Sequence, residues 1–400
     1  MKRPPSAPAG APATVRLVKD LGRHLRAGHP WIWRDALAPV RLPAGSVVDV
    51  VDAGGRFLAR GLFDPGSPIA VRVYTLDAAQ PLDGALVDRR LADAAQLRLS
   101  VIDLDTTDAY RLCNGEGDRL PGVVVDRYAS TAVVRFDGAA AATLSDHVVH
   151  AVLRLGAPLG ITSVYERARH GAGRVLAGDE PPDVVEARES GLRLGVDVKR
   201  GQKTGTFLDQ RDNRLAIRRF AAGIDVANLF SYTGGFSLSA ALGGARRVTS
   251  VDQAPAALEA ARADFTRNGV DPEQHGFERA EVFEWLAQAA AQRRRFGLMV
   301  VDPPSFAPSE KSLKGALSAY RDLFERSLLL VEPGGLLAAA SCSSHVDLEA
   351  FLGTLRDAGE RAGVALRILE VRGQPPDHPT TPAFKEGRYL KFVLLRCDAA

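Results

Sequence analysis

The chain has 400 residues, more than the roughly 100–200 of a typical single domain, so we expect two or three domains. Hydrophobic residues make up 46% and charged residues 25%, as in average globular proteins, and no apolar run approaches the roughly 18 residues of a membrane span. The three cysteines, Cys113, Cys342 and Cys397, are too widely spaced for a disulfide framework or a zinc site, so we expect reduced thiols and no metal. Residues 1–13 predict a flexible tail without a signal peptide, and therefore a cytoplasmic protein.

Positive charge is concentrated in two stretches of the chain, although the net charge is only +3. Residues 14–60 contain 8 Arg or Lys against 4 Asp, and residues 198–219 contain 7 against 2 acidic residues. A solvated surface and a phosphate-binding surface are equally consistent with such runs when each is taken alone.

The first half of the chain predicts two small domains. Short β-type runs separated by Gly, Pro and Asp indicate a mostly β domain over residues 14–92. Apolar residues at helical spacing over 82–99 lead into a central α+β domain over residues 93–190, with strands at 120–128 and 131–137. Residues 171–189 are rich in Gly, Pro and acidic residues and predict a connecting loop or a domain boundary.

The third domain, over residues 191–400, predicts an α/β fold with a doubly wound, mostly parallel sheet, because apolar strands alternate with amphipathic helices. The predicted strands cover residues 224–230, 247–252, 296–302, 335–342, 365–371 and 389–396. The predicted helices cover residues 255–268, 282–294, 316–330 and 347–362. In such a sheet, ligands bind beyond the carboxyl ends of the strands, so the residues that follow each strand are the candidates for function.

The first two strand ends predict a nucleotide-type site. The loop S-Y-T-G-G-F-S over residues 231–237 has paired glycines, which let the backbone approach a ligand before the next helix begins. Neither G-x-G-x-x-G nor a P-loop pattern occurs, which argues against dinucleotide and NTP sites. Asp252 ends the second strand roughly 20 residues after the paired glycines, where an acidic residue receives ribose hydroxyls. Helix capping before Ala254 and Pro255 is the alternative role for this carboxylate.

Two further strand ends predict the chemistry. The run D-P-P-S-F begins at Asp302, and its two prolines stiffen a loop that presents the carboxylate to a substrate. The neighbouring strand ends in S-C-S-S-H, which places the Cys342 thiol at the same edge. Cytosine C5 is a poor nucleophile, and attack of a thiolate on C6 would activate it for methylation. A cysteine at a strand end is otherwise a small core residue, and the position beside Asp302 favours the nucleophile.

With these residues, the chain resembles the bacterial 23S rRNA (cytosine-5)-methyltransferases that carry an N-terminal PUA domain. The runs L-V-K-D-L-G-R-H at 17–24 and H-P-W-I-W at 29–33 resemble the opening of that PUA domain. The runs N-G-E-G-D-R-L-P-G at 114–122 and Q-K-T-G-T-F-L-D-Q-R at 202–211 resemble the central domain and the segment beside the cofactor.

The resemblance implies a class I methyltransferase domain with a seven-stranded sheet, S-adenosylmethionine as cofactor, and 23S rRNA, naked or in a ribosomal particle, as substrate. Cys342 would be the nucleophile and Asp302 would hydrogen-bond the cytosine. The implied cofactor-binding residues are Phe230, Tyr232, Thr233, Gly234, Asp252, Glu281, Asp302 and Gln210. The implied RNA-contacting residues are Pro303, Pro304, Phe306, Lys19, Arg23, Lys203 and Arg211. Monomer and homodimer both stay open.

The chain departs from the family pattern at two positions. Glu281 stands where the family tends to have an Asp that contacts adenine, and Ser305 stands where some RNA cytosine-5 methyltransferases have a second cysteine. Thiol-assisted release is therefore not expected, and neither His345 nor His378 is a strong candidate for the base that removes the C5 proton. Two alternative functions remain at this point. They are a guanine or adenine N-methyltransferase that uses the Asp-Pro-Pro-Ser-Phe loop, and a non-catalytic RNA-binding assembly factor.

Overall fold

The computed structural model of the protein describes residues 11–168, 171–307 and 310–399. Most of the predicted tail over residues 1–13 lies outside the described residues, and Ala13 already belongs to the first strand. No helix in these ranges is long and apolar enough to cross a membrane.

The N-terminal domain is a five-stranded sheet with one short helix. Its elements are β1 (Ala13–Arg16), α1 (Gly22–Arg26), β2 (Trp31–Trp33), β3 (Ser46–Val51), β4 (Phe57–Phe63) and β5 (Ile69–Thr75), and the strand order is β1-β3-β4-β5-β2. Val48 and Val50 of β3 point into the core, whereas Asp49 between them pairs with Arg60 at 2.7 Å. This alternation is the period-2 pattern of a sheet with one buried face, and the predicted β-rich domain is therefore present.

The central domain packs two long helices and one short helix against a second five-stranded sheet. Its elements are α2 (Gly84–Val101), β6 (Ala109–Asn114), β7 (Val123–Tyr128), β8 (Thr131–Phe136), α3 (Ala139–Ala142), α4 (Ser145–Gly156), β9 (Ser163–Glu166) and β10 (Arg174–Ala177), with strand order β10-β9-β8-β7-β6. Asp83 begins α2 by accepting a hydrogen bond from Leu86 N at 2.9 Å. The predicted boundary at residues 92/93 falls inside α2, whose Leu86, Val87 and Leu91 belong to the central core. The central domain therefore begins near Asp83.

A hairpin joins the central domain to the third domain. Its strands are β11 (Val185–Glu189) and β12 (Leu192–Val196), so the loop predicted over residues 171–189 is wrong where it covers β10 and β11. Ala187 and Leu194 pack with Tyr128 of the central domain and with Leu238 and Phe265 of the third domain. The predicted boundary at 190/191 falls in the turn of this hairpin. Gly and acidic residues are common in tight antiparallel turns as well as in linkers, so composition alone did not distinguish the two.

The third domain is the predicted doubly wound α/β sheet. Its elements are α5 (Arg211–Arg218), β13 (Asp225–Leu229), α6 (Gly235–Leu242), β14 (Arg247–Asp252), α7 (Pro255–Arg267), β15 (Gly276–Arg279), α8 (Val282–Ala291), β16 (Phe296–Val301), α9 (Leu313–Leu328), β17 (Val331–Ser341), α10 (Leu348–Ala362), β18 (Val364–Arg372) and β19 (Lys391–Ala399). The strand order is β15-β14-β13-β16-β17-β19-β18, and only β19 runs antiparallel to its neighbours. The order reverses between β13 and β16, which opens a crevice at their carboxyl ends.

Buried ionic contacts hold the three domains together around the loop between β18 and β19. Asp377 in this loop is fully buried and accepts hydrogen bonds from the Arg211 guanidinium at 2.8 Å and from the Arg111 amide at 3.0 Å. The Trp31 indole of the N-terminal domain donates to Glu116 at 2.8 Å, and its ring centroid lies 4.6 Å from that of Phe384. The loop therefore contacts both preceding domains as well as its own sheet.

Candidate active site

A cleft of about 1040 Å³ opens at the carboxyl ends of β13, β14, β16 and β17. Its walls include the loops after β13, β16 and β17, the segment that precedes α5, helix α7 and the hairpin strand β12. The predicted site residues that line this cleft are Phe230, Tyr232, Thr233, Asp252, Asp302, Pro303, Pro304, Cys342, Gln210 and Lys203. The topology therefore brings most of the predicted cofactor and catalytic residues to one place.

The loop after β13 adopts backbone conformations that side chains rarely take. Phe230 and Tyr232 have φ values of 56° and 47°, and Gly234 has a φ of 73°. A Cβ added at Gly234 would lie 2.7 Å from the Ala261 Cβ, so only glycine fits between this turn and α7. Gly234 does not line the cleft itself, and its role is to shape the turn from which α6 begins.

Asp252 is held by backbone amides on both of its oxygens. Oδ2 accepts a hydrogen bond from Tyr232 N at 2.8 Å, and Oδ1 accepts one from Ala254 N at 2.9 Å. Asp252 thus shapes the entry into α7, and its carboxylate also lines the cleft. The ribose contact stays a prediction. Each oxygen keeps a lone pair for a ligand hydroxyl.

Two residues near this loop differ from the prediction. The Glu281 carboxylate accepts a hydrogen bond from Glu284 N at 2.9 Å and caps α8, and the next residue, Val282, lines the cleft. Ser231 was not predicted, but it lines the cleft and its buried hydroxyl has no hydrogen-bond partner among the described residues. A buried polar atom without a partner indicates a place for a ligand atom.

Side-chain hydrogen bonds hold the loop that begins at Asp302. Asp302 Oδ2 accepts a hydrogen bond from Gln210 Nε2 at 2.8 Å, and burial, followed by the nearby Asp209, raises the pKa of Asp302 to about 7. The Ser305 hydroxyl lies 2.9 Å from that of Ser343 in the loop after β17. Phe306 does not line the cleft; its ring packs 4.9 Å from Tyr320, towards the core. The loop is therefore stiff, and Asp302 changes its charge near neutral pH.

Cys342 differs from the other two cysteines in its exposure. Cys113 and Cys397 are buried in the core, whereas Cys342 is partly exposed and lines the cleft. The register between β16 and β17 pairs Val301 with Ala339, so Asp302 and Cys342 leave the sheet at the same edge. Burial and the Asp302 carboxylate raise the pKa of the Cys342 thiol. The resting residue is therefore a thiol that needs help to ionise.

The predicted RNA-contacting residues are divided between surface and interior. Lys19 and Arg23 are exposed on the N-terminal domain, where Lys19 pairs with Asp35 at 2.6 Å. Arg211 is buried, and its guanidinium is already engaged by Asp377, so it is not presented to RNA phosphates. The sequence missed this because Asp377 lies far away along the chain. Lys203 lies in the cleft, close to Asp209.

Three polar residues near Cys342 were not predicted, and two of them, Asp209 and Lys391, are buried. Asp209 is 2% exposed, and Tyr389 Oη donates to its Oδ2 at 2.6 Å. Lys391 donates to the Ser343 carbonyl at 2.5 Å, and burial lowers its pKa to about 8. The pairing of β17 with β19, Ser341 opposite Lys391, accounts for the position of this lysine. Only that antiparallel pairing could have revealed it.

Known family models match two regions of this chain. Residues 159–396 match the family model of the S-adenosylmethionine-dependent methyltransferases, and residues 15–76 match the model of a PUA-like domain. The chain belongs to the S-adenosylmethionine-dependent methyltransferases. The predicted class I methyltransferase domain, PUA-like domain and cofactor are therefore confirmed, and S-adenosylmethionine is the cofactor of this methyltransferase.

Curated relatives match the methyltransferase over almost its whole length. It is 38% identical over 391 residues to the ribosomal RNA large subunit methyltransferase I of Klebsiella pneumoniae (strain 342), which covers 95% of the chain and 98% of the relative. The protein of the same name from Erwinia tasmaniensis is 37% identical over 393 residues, with 96% and 99% covered.

Solved structures show the same fold. A protein from Streptococcus mutans described as a SAM-dependent methyltransferase superposes with a TM-score of 0.85 at 24% identity, covering 96% of this chain and 100% of its own. A methyltransferase complexed with SAH also gives a TM-score of 0.85, covering 96% of this chain and 99% of its own. In this chain, the Asp252 carboxylate is free to accept further hydrogen bonds, and the buried Ser231 hydroxyl has no partner among the described residues, so both suit a ligand that carries hydroxyl groups.

Proposed function

We propose that the methyltransferase forms 5-methylcytosine in the 23S rRNA of the large ribosomal subunit, through a covalent bond between the Cys342 sulfur and cytosine C6. The observation that carries this proposal is the Cys342 thiol, which is partly exposed in the same cleft as Asp302 and the cofactor loop. The names of the curated relatives support ribosomal RNA as substrate. The PUA-like domain, with Lys19 and Arg23 exposed, supports RNA binding.

The proposed reaction assigns one step to each of the two residues. The Cys342 thiolate attacks C6 and forms a carbon–sulfur bond, while Asp302 gives its proton to N3 of the base, so that C5 becomes an enamine carbon. Bound S-adenosylmethionine supplies an electrophilic methyl group, which C5 accepts. Loss of the C5 proton to a base then expels Cys342 as a thiolate, while N3 returns its proton to Asp302, so that the aromatic ring is restored. The methylated base and S-adenosylhomocysteine are the products.

The charge states of the two residues suit these roles. Because the pKa of Asp302 is raised to about 7, a large fraction of this carboxyl is protonated at neutral pH and can act as an acid. A carboxyl of ordinary pKa would be almost fully ionised under the same conditions. Pro303 and Pro304 line the cleft next to Asp302, so a cytosine that enters the cleft there contacts a stiff apolar wall.

The test is methyl transfer from labelled S-adenosylmethionine to 23S rRNA that lacks the modification, followed by nucleoside analysis of the RNA. We expect label in 5-methylcytosine with the wild type and none with Cys342→Ala. Ser344→Ala is the matched control, since Ser344 is exposed in the same loop and should retain activity. Label in a methylated purine that Cys342→Ala leaves unchanged would replace the proposal with an N-methyltransferase. Cofactor binding without methyl transfer to any RNA would overturn the proposal that RNA is the substrate.

A further inference from the structure

We infer that Lys203 is a positioning residue of the active site. Its ammonium group, which contacts Asp209 and the rings of Phe207 and Tyr389, offsets the carboxylates beside Cys342 and so allows the thiolate to form. This inference rests on the proposed role of Cys342 as nucleophile. It gives Lys203 a function inside the cleft, whereas the sequence predicted an RNA contact.

The backbone at Lys203 is arranged to turn this side chain inwards. Lys203 has a φ of 54° in a tight turn that is closed by a 2.8 Å hydrogen bond from Gly205 N to Gln202 O. Such a conformation is costly for a residue with a Cβ, on the order of 1–3 kcal/mol, and persists where the surroundings impose it. The cost is borne at a residue that lines the cleft together with Cys342 and Asp302.

The contacts of the ammonium group fix its position. Lys203 Nζ lies 2.5 Å from Asp209 Oδ2, and it lies 4.7 Å and 5.7 Å from the ring centroids of Phe207 and Tyr389. Asp209 is 2% exposed, while the Lys203 side chain is 30% exposed. The lysine is therefore anchored on its buried side by a carboxylate and two aromatic rings, and it remains open towards the cleft.

The charges around Cys342 explain why a cation is needed. Two carboxylates act on the thiol, Asp302 from the loop after β16 and Asp209 from the segment before α5, and both oppose its ionisation. Two ammonium groups favour its ionisation, those of Lys203 and of Lys391 on β19. The phenols that face it are Tyr320 of α9 and Tyr389 beside β19, and Asp347 before α10 acts on Lys391.

Of the two lysines, Lys203 acts more strongly on the site. Its charge lowers the pKa of Cys342 more than that of Lys391 does, and it also opposes the upward shift of the pKa of Asp302. Lys391 is tied to the carbonyl groups of Ser343 and Tyr389, and burial brings its pKa to about 8. Lys391 is therefore partly neutral in mildly alkaline solution, and its ammonium group is directed at two carbonyl groups, whereas the Lys203 side chain is open towards the cleft.

The experiment measures the ionisation of Cys342 directly, without RNA. The rate of alkylation by iodoacetamide is recorded against pH for the full-length protein, with Cys342→Ser as the background, because Cys113 and Cys397 are buried. We expect Lys203→Met to move the alkylation midpoint upward by about one pH unit, which is roughly a tenfold lower rate at a fixed pH below the midpoint. Lys203→Arg should keep the wild-type profile within about threefold.

The matched control is Lys199→Met, since Lys199 lies in the same basic stretch but pairs with Glu180 and Asp183 outside the cleft. Its profile should equal that of the wild type. An unchanged profile for Lys203→Met, in protein that melts at the wild-type temperature, would overturn the inference, as would an equal shift for Lys199→Met. If Lys203→Met lowers the melting temperature, Lys203→Gln is tested in the same way.

This result is separable from the test of the proposed function. If Cys342→Ala retains methyl transfer, the proposed function fails, even when Lys203→Met still moves the alkylation midpoint. If Cys342→Ala abolishes 5-methylcytosine while Lys203→Met leaves the midpoint in place, the proposed function stands and the inference on Lys203 fails.

Discussion

The Gln210 side-chain amide donates a 2.8 Å hydrogen bond to Asp302 Oδ2 and so joins the segment before α5 to the loop after β16. The amide has a defined orientation, because Gln210 Oε1 accepts a hydrogen bond from Asn213 Nδ2 at 2.6 Å. A donor aimed at a carboxylate stabilises its ionised form and therefore opposes the effect of burial. Gln210 thus adjusts the pH range in which Asp302 can act as an acid.

Removing this donor should move the pH dependence of methyl transfer. With Gln210→Ala, the pKa of Asp302 should rise further above its present value of about 7, so its protonated form should persist to higher pH. We expect the alkaline decline of kcat/KM that belongs to Asp302 to move upward, with about a tenfold lower maximum because the carboxyl is less well positioned. Gln288→Ala, on the exposed side of α8, is the control. A decline at the same pH in Gln210→Ala would show that Asp302 is not the acid.

The sequence predicted the sheet and the place of the site because both follow from local patterns. The run Phe296–Val301 is apolar throughout and became β16, which is buried on both faces. β15 was not predicted, since its four residues G-F-E-R include only one that is buried. The helix α5 was missed because it is highly charged, and its Arg214 is buried only through a pair with the distant Glu189 at 2.7 Å.

Contacts between residues that are distant in the sequence decide which predicted site residues line the cleft. Asp302 and Cys342 follow neighbouring strands, so parallel pairing was enough to bring them together. The partner of Arg211 depends on how the β18–β19 loop folds back, which no local pattern encodes. The position of Lys203 depends on a left-handed backbone conformation at this residue. Such a conformation is uncommon for residues other than glycine, so the sequence did not predict it.

Replacing Asp302 with Asn should stabilise the protein at alkaline pH while it abolishes catalysis. The folded-state pKa of about 7 lies above the ordinary value of about 3.9, so ionisation of Asp302 costs folding free energy. This cost begins as the pH rises above about 4 and is complete above about 7. Asn removes it and can still accept the hydrogen bond from Gln210, so we expect a gain on the order of 2 kcal/mol at pH 8.

Thermal unfolding of wild type and Asp302→Asn at pH 5 and pH 8 measures this effect. The difference in melting temperature should be larger at pH 8, and methyl transfer should fall at least about a hundredfold. Asp271→Asn, at an exposed position, controls for the general effect of removing one negative charge. An equal difference at both pH values would mean that the carboxyl does not titrate between them.

Asp252→Ala should weaken binding of the cofactor product. The substitution removes the acceptor for ligand hydroxyls and also frees Tyr232 N and Ala254 N, which the carboxylate now holds. Loss of charge-assisted hydrogen bonds of this kind costs about 1.5–3 kcal/mol, so the Kd of S-adenosylhomocysteine should rise by ten- to a hundredfold. Isothermal titration measures it, with Glu259→Ala on the exposed face of α7 as control. A Kd within twofold of wild type would exclude Asp252 from the cofactor site.

Tyr320→Phe should lower kcat without changing cofactor affinity, because the Tyr320 hydroxyl braces both catalytic loops. It lies 2.9 Å from the Ser341 hydroxyl and 3.1 Å from the Ser343 hydroxyl, and Ser343 in turn contacts Ser305. Removing one phenolic oxygen leaves the two serines less well satisfied, at a cost of about 1–2 kcal/mol, and loosens the loops that carry Cys342 and Asp302.

We expect kcat of Tyr320→Phe to fall about tenfold, since small displacements of reacting groups slow catalysis strongly. Single-turnover methyl transfer measures this, and titration with S-adenosylhomocysteine should give the wild-type Kd, because the hydroxyl does not line the cleft. Tyr165→Phe, which removes a phenol from the core of the central domain, should leave kcat unchanged. Wild-type kcat in Tyr320→Phe would show that Ser341 and Ser343 hold the two loops without the phenol. The Ser305–Ser343 contact, together with the stiff Pro303–Pro304 pair, would then be sufficient to hold the loops.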